Sequence, residues 1–109
     1  MQQLPPFNGM QQSDIEAILR RKGYTQVTAR SGGDVWTKAT PDGNTAAIRL
    51  DPAKVRTPPR GFADEVKHAH KEIVPTSNVS GGNYRGASHV LDDSCIVSTN
   101  PRDLHIPIL

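Results

Sequence analysis

The 109 residues fit one small domain, and 35% hydrophobic with 5% aromatic content leave it a modest core. Thirteen basic against eleven acidic residues give a formal net charge of +2, which permits a nucleic-acid partner but is far below that of a DNA-coating protein. The single cysteine, Cys95, excludes an intrachain disulfide and a four-cysteine zinc site.

Residues 1–12, punctuated by Pro5, Pro6 and Gly9, read as a linker, with Phe7 as its large anchor; residues 13–109 read as a single domain. "MQQLPPFNGM" lacks the order of a signal peptide, and no apolar run approaches the ~20 residues of a membrane span. A soluble chain without a membrane partner is therefore expected. "SDIEAILRRKGY" predicts a helix: Ser13 and Glu16 have capping-box spacing, and Ile15, Ile18 and Leu19 share a face. Arg20, Arg21 and Lys22 suit the negative end of its dipole, and Gly23 is placed to terminate it. A short strand in "YTQVTARSGG" precedes a loop at Ser31–Gly33. The arms "DVWTKAT" and "TAAIRLD" around "PDGN" predict a hairpin. Ala46, Ile48 and Leu50 would face the helix; Ala47, Arg49 and Asp51 would face away. Trp36 reads as core, with base stacking as the alternative.

After a proline-broken loop, "ADEVKHAHKEIVP" reads as a strand, with His68, His70 and Glu72 on one face and Lys71 on the other, in preference to a helix that would group Asp64, His68, Lys71 and Glu72. Residues 75–95 read as loop with a short strand near His89–Leu91. The end of the chain reads as a strand, a turn at Asn100–Asp103 and a last strand in which Pro107 limits pairing. The expected fold is α+β: an N-terminal helix packed on a twisted, mainly antiparallel sheet of four or five strands.

Histidines two apart on a strand sit ~7 Å apart on one face. Such a row offers a general base, a general acid and an orienting carboxylate near neutral pH. These parts cleave RNA without a cofactor: a base takes the 2′-hydroxyl proton, an acid protonates the leaving 5′-oxygen, and a cation stabilises the phosphorane. Cations would come from Lys38, Arg49, Arg56, Arg60 or Arg102. Two other readings use the same stretch. His68 and His70 with Glu72 or His89 could hold zinc or manganese, or the row could be a solvated polar face. "STNPRD" is a turn on the plain reading and a phosphate contact on the functional one.

The "NGM" start, the helix ending "RRKGYT", the hairpin "VWTKATPDGNTAAIRLDP" and the final "STNPRDLHIPI" together resemble the C-terminal toxin domains of bacterial polymorphic toxins of the contact-dependent growth inhibition and Rhs types. The element order is similar to that of barnase/EndoU/colicin/RelE-like ribonucleases. Ser98, Thr99, Pro101 and Asp103 match the C-terminal motif, while Val97 stands where a basic residue is expected. The resemblance implies a metal-independent ribonuclease, often acting on transfer RNA. It also implies secretion within a larger effector, action in the target-cell cytoplasm, a cognate immunity protein and, in some cases, a host activating factor.

The sequence therefore points to a ribonuclease with His68, His70, Glu72, Thr99 and His105 as catalytic candidates. Its RNA-contact candidates are Lys38, Arg49, Arg56, Lys71, Ser98 and Arg102, and no metal or cofactor is required. The rival readings are a non-enzymatic immunity or adaptor module, a metal-dependent nuclease using His68 and His70, and a non-nuclease toxin such as a glycohydrolase or transferase.

Overall fold

The computed structural model describes residues 4–28, 34–80, 87–100 and 103–109. Helix α1 (Gln12–Arg21) lies on a six-stranded antiparallel sheet made of β1 (Thr25–Thr28), β2 (Asp34–Ala39), β3 (Asn44–Asp51), β4 (His68–Pro75), β5 (His89–Leu91) and β6 (Ile106–Pro107). A 3-10 turn at Ala63–Glu65 and a short helix, α2 (Thr76–Ser80), flank β4. The order is β1-β2-β3-β4-β5, with β6 also on β4. The expected α+β architecture is present. The sheet has six strands rather than four or five, and the expected last strand is the two-residue β6, which pairs only at His68–Pro107 and Ala69–Ile106.

Period-two alternation divides the sheet into two faces. On one, Trp36, Ala46, Ile48, Leu50, Ala69 and Ile106 pack with Ile15 and Leu19 of α1. Leu4 and Phe7 join this cluster, so the segment read as a linker contributes to the core. Trp36 is buried with the Arg20 guanidinium over its ring, a core position rather than a base-stacking one.

Gly23 ends α1 at φ +86°. Its N–H donates to Arg20 O, and the Tyr24 N–H donates to Leu19 O, the paired bonds of a Schellman motif. The expected Ser13 cap is absent. The N-cap is Gln11, whose side chain makes no capping bond. The N–H of Gln12, the first helical residue, donates to Leu109 O. The "PDGN" hairpin forms as read, with Gly43 at φ +83°. Ile96 and Val97, expected at the start of a strand, are exposed: Val97 makes an isolated bridge with Leu91, and Ile96 bonds back to Asp92.

Candidate functional site: a three-histidine cluster

β4 runs between β3 on one side and β5 and β6 on the other, and is buried along both faces. His68, His70 and Glu72 point away from α1, as alternation requires, and all three are buried. The turn after β5 delivers the third ring. Ser98 Oγ donates to Asp103 Oδ2 at 2.7 Å and accepts the Asn100 N–H, while the Asp103 N–H closes on Asn100 O. β6 then pairs with β4 at Ala69–Ile106, and one further residue places His105 opposite His70. The ring centroids are 4.9 Å apart for His68–His70, 5.0 Å for His68–His105 and 4.9 Å for His70–His105, all edge to face. His105 is the half-buried member. A shallow cleft lined by Asn8, Asp93, Asp103 and Pro107 opens beside it.

β3 supplies the charges. Asp51 faces His68 in the register, and its Oδ2 lies 3.2 Å from His70 Nε2 and 3.7 Å from His68 Nε2. The hydrogen bond from His70 is the largest influence holding the Asp51 carboxyl below its usual range, followed by the Arg49 charge against an opposing effect of burial. Glu72 accepts two bonds from Arg49, Nε at 3.2 Å and NH2 at 2.7 Å. Its Oε1 is also 4.0 Å from His70 Nδ1. Pairing of this kind positions a carboxylate and removes it as a free base. His68 Nδ1 lies 2.7 Å from Val66 O. A carbonyl only accepts, so Nδ1 carries the proton and Nε2 the lone pair. Burial is the main cause pushing the His68 pKa below its ordinary value, which favours the neutral ring.

The structure thus gathers His68, His70, His105, Glu72 and Arg49. Asp51 was read as facing the same way as Arg49 but was not counted as a site residue; the β3–β4 register, not visible in sequence, brings it to the imidazoles. The remaining candidates lie elsewhere. Lys71 is on the α1 face and fully buried, with Nζ 3.1 Å from Asp93 Oδ1, 2.8 Å from Asp93 O and 3.0 Å from Pro5 O, and 4.2 Å above the Phe7 ring. No nucleic acid reaches it there, which corrects its assignment as an RNA contact. Lys38 Nζ donates to Lys22 O at the end of α1, also on the far face. Arg56 grips Asp64 through two bonds of 2.7 and 3.0 Å and braces the loop leading into β4. Ser98 builds the turn. Thr99 is exposed, and among the described residues no contact joins it to the imidazoles. Pro101 and Arg102 lie outside the described residues. His89, a proposed third ligand, is exposed on β5, with Ser88 Oγ 3.1 Å from its Nδ1, and His105 occupies the third position instead.

Comparison of the chain with protein-family models, with curated proteins and with solved structures gives no match. The site therefore stands on its own geometry.

Proposed function

We propose that this chain is an endoribonuclease that cleaves RNA through its own ribose 2′-hydroxyl. One observation supports the reading above all: three imidazoles from β4 and the start of β6 converge beside a carboxylate, Asp51, and a guanidinium, Arg49, on one sheet face. His105, beside the open cleft, and His70, positioned by Asp51, divide the base and acid roles. The base takes the 2′-hydroxyl proton, the oxygen attacks phosphorus, and the acid protonates the departing 5′-oxygen. The products are a 2′,3′-cyclic phosphate and a free 5′-hydroxyl. Arg49 offers charge to the phosphorane through Nη1, which is 3.8 Å from Asp51 and makes no shorter ion pair among the described residues. Glu72 keeps Arg49 in place.

Preference for transfer RNA, delivery within a larger effector and neutralisation by an immunity protein belong to the same proposal and rest on the resemblance alone. The test uses purified chain, total bacterial RNA and transfer RNA in EDTA, resolved on a denaturing gel. We expect discrete fragments with cyclic-phosphate ends. His105→Ala should slow their appearance about 10²- to 10⁴-fold with an unchanged circular dichroism spectrum. Intact RNA after incubation with stoichiometric folded chain would sink the reading.

A further inference from the structure

His68, His70 and His105 each offer a ring nitrogen, and these atoms lie within 4.8 Å of one another. Tetrahedral Zn²⁺ holds imidazole nitrogens at ~2.0–2.1 Å, which sets its ligand atoms about 3.4 Å apart. The separations of Asp51 Oδ2 from His70 Nε2 and His68 Nε2, 3.2 and 3.7 Å, bracket that value. At most, a nitrogen 4.8 Å away must close by about 1.4 Å. Ring rotation within the cluster must supply that closure when an ion binds.

The surroundings also suit an ion. The Val66 carbonyl fixes His68 with its Nε2 lone pair available, the outer partner that a metal-binding histidine ordinarily has. When His70 Nε2 ligates, the ring proton moves to Nδ1, 4.0 Å from Glu72 Oε1. Asp93 and Asp103 line the cleft beside His105 and favour approach of a cation. Neutral imidazoles select zinc, cobalt, nickel or copper over magnesium and calcium.

We propose that His68, His70 and His105, with Asp51 as fourth donor, form a Zn²⁺ site, and that the bound ion silences the nuclease. The second part rests on the ribonuclease reading, because ion and reaction need the same nitrogen lone pairs.

The full chain is loaded with Zn²⁺ or Co²⁺, dialysed against metal-free buffer and measured by elemental analysis and visible spectroscopy. We expect one ion per chain and the intense bands of tetrahedral Co²⁺, with no competition from Mg²⁺. Binding should be lost in His105→Ala and weakened about 10- to 100-fold in Asp51→Asn. It should be unchanged in His89→Ala, which alters the exposed histidine of β5. Should His105→Ala misfold, His105→Gln replaces it. No retained ion, or wild-type affinity in the folded His105 variant, overturns the site. RNA cleavage is scored separately in EDTA and with equimolar Zn²⁺, and should proceed in the first and stop in the second. Cleavage in EDTA by a chain that binds no Zn²⁺ overturns the metal site alone. Zn²⁺ binding by a chain that never cleaves RNA overturns the nuclease reading and leaves the site standing. Activity that rises with Zn²⁺ overturns the silencing.

Discussion

Lys71→Met separates a structural lysine from an RNA-binding one. The side chain is completely buried. Its ammonium bonds to two backbone carbonyls, Pro5 O and Asp93 O, pairs with Asp93 Oδ1 and sits 4.2 Å from the Phe7 ring. Removing one partner of a buried pair costs ~3–5 kcal/mol when the other charge is stranded. Asp93 is not stranded: it is partly exposed and accepts the Phe7 N–H at 2.7 Å and the Asn8 N–H at 3.0 Å. The loss then comes mainly from the two carbonyls, about 1–3 kcal/mol each when left dry, and from the cation–π contact, about 2 kcal/mol when desolvated. Methionine fills the space, and the losses overlap, so about 3 kcal/mol is expected. That is a large share of the ~5–15 kcal/mol that holds a domain together, and corresponds to a fall in Tm of roughly 15 °C. Urea and thermal unfolding measure it. An RNA-binding lysine would instead weaken substrate binding and leave unfolding unchanged. A loss under about 1 kcal/mol would refute the latch that joins residues 5–7, β4 and Asp93.

Two further perturbations probe the charged groups. Arg49→Met should destabilise by about 3 kcal/mol, because Glu72, with its side chain only 5% exposed, loses the partner that neutralises it. Glu72→Gln in the same chain should recover most of that, and simple additivity of the two single changes within ~0.5 kcal/mol in urea unfolding would contradict the coupling. Tyr24 supplies a pH test. Burial, with a smaller contribution from the Cys95 charge, pushes its pKa up to about 12. The native chain therefore keeps this proton between pH 10 and 12 while the unfolded chain loses it. Stability should fall with rising pH in that window by about 1.4 kcal/mol per unit. Tyr24→Phe should abolish this component without cost at pH 7, since the hydroxyl is buried with no hydrogen-bond partner among the described residues. Equal pH slopes for the two chains would disprove it.

Where the signal is local, the sequence was readable. Alternation in "HAHKEIVP" fixes which residues share a face whatever the strand pairs with, and Gly23 and Gly43 mark places where backbone sterics leave little choice. The facing of Ala46, Ile48 and Leu50 toward α1 follows from the same period. Long-range partners were not readable. The start of α1 depends on Leu109, and the burial of Lys71 depends on residues 5, 7 and 93. Asp51 reaches the imidazoles only through one register among those that would keep β3 and β4 facing correctly. In "STNPRD" the Ser98–Asp103 bond, between the two described ends of the stretch, is the local geometry that precedes β6.

The unusual property of β4 is that four consecutive or alternate ionisable residues, His68, His70, Lys71 and Glu72, are buried in a domain with a small core. Burying polar groups costs stability unless each finds a partner. Lys71 and Glu72 find full ionic partners, Asp93 and Arg49, and these pairs explain themselves as structure. The three imidazoles differ in that, besides the His70–Asp51 and His68–Val66 contacts, they also meet one another edge to face. For His68, burial first and then the neighbouring His70 and His105 rings oppose a positive charge. The cluster therefore suits neutral rings with lone pairs available, one proton shared with Asp51, or a cation held among them. A packed core would gain more from leucine at these positions. What the imidazoles retain over leucine is the capacity to hold and pass a proton or to ligate an ion, and the two proposals for this chain differ only in which of those occupies the same nitrogens.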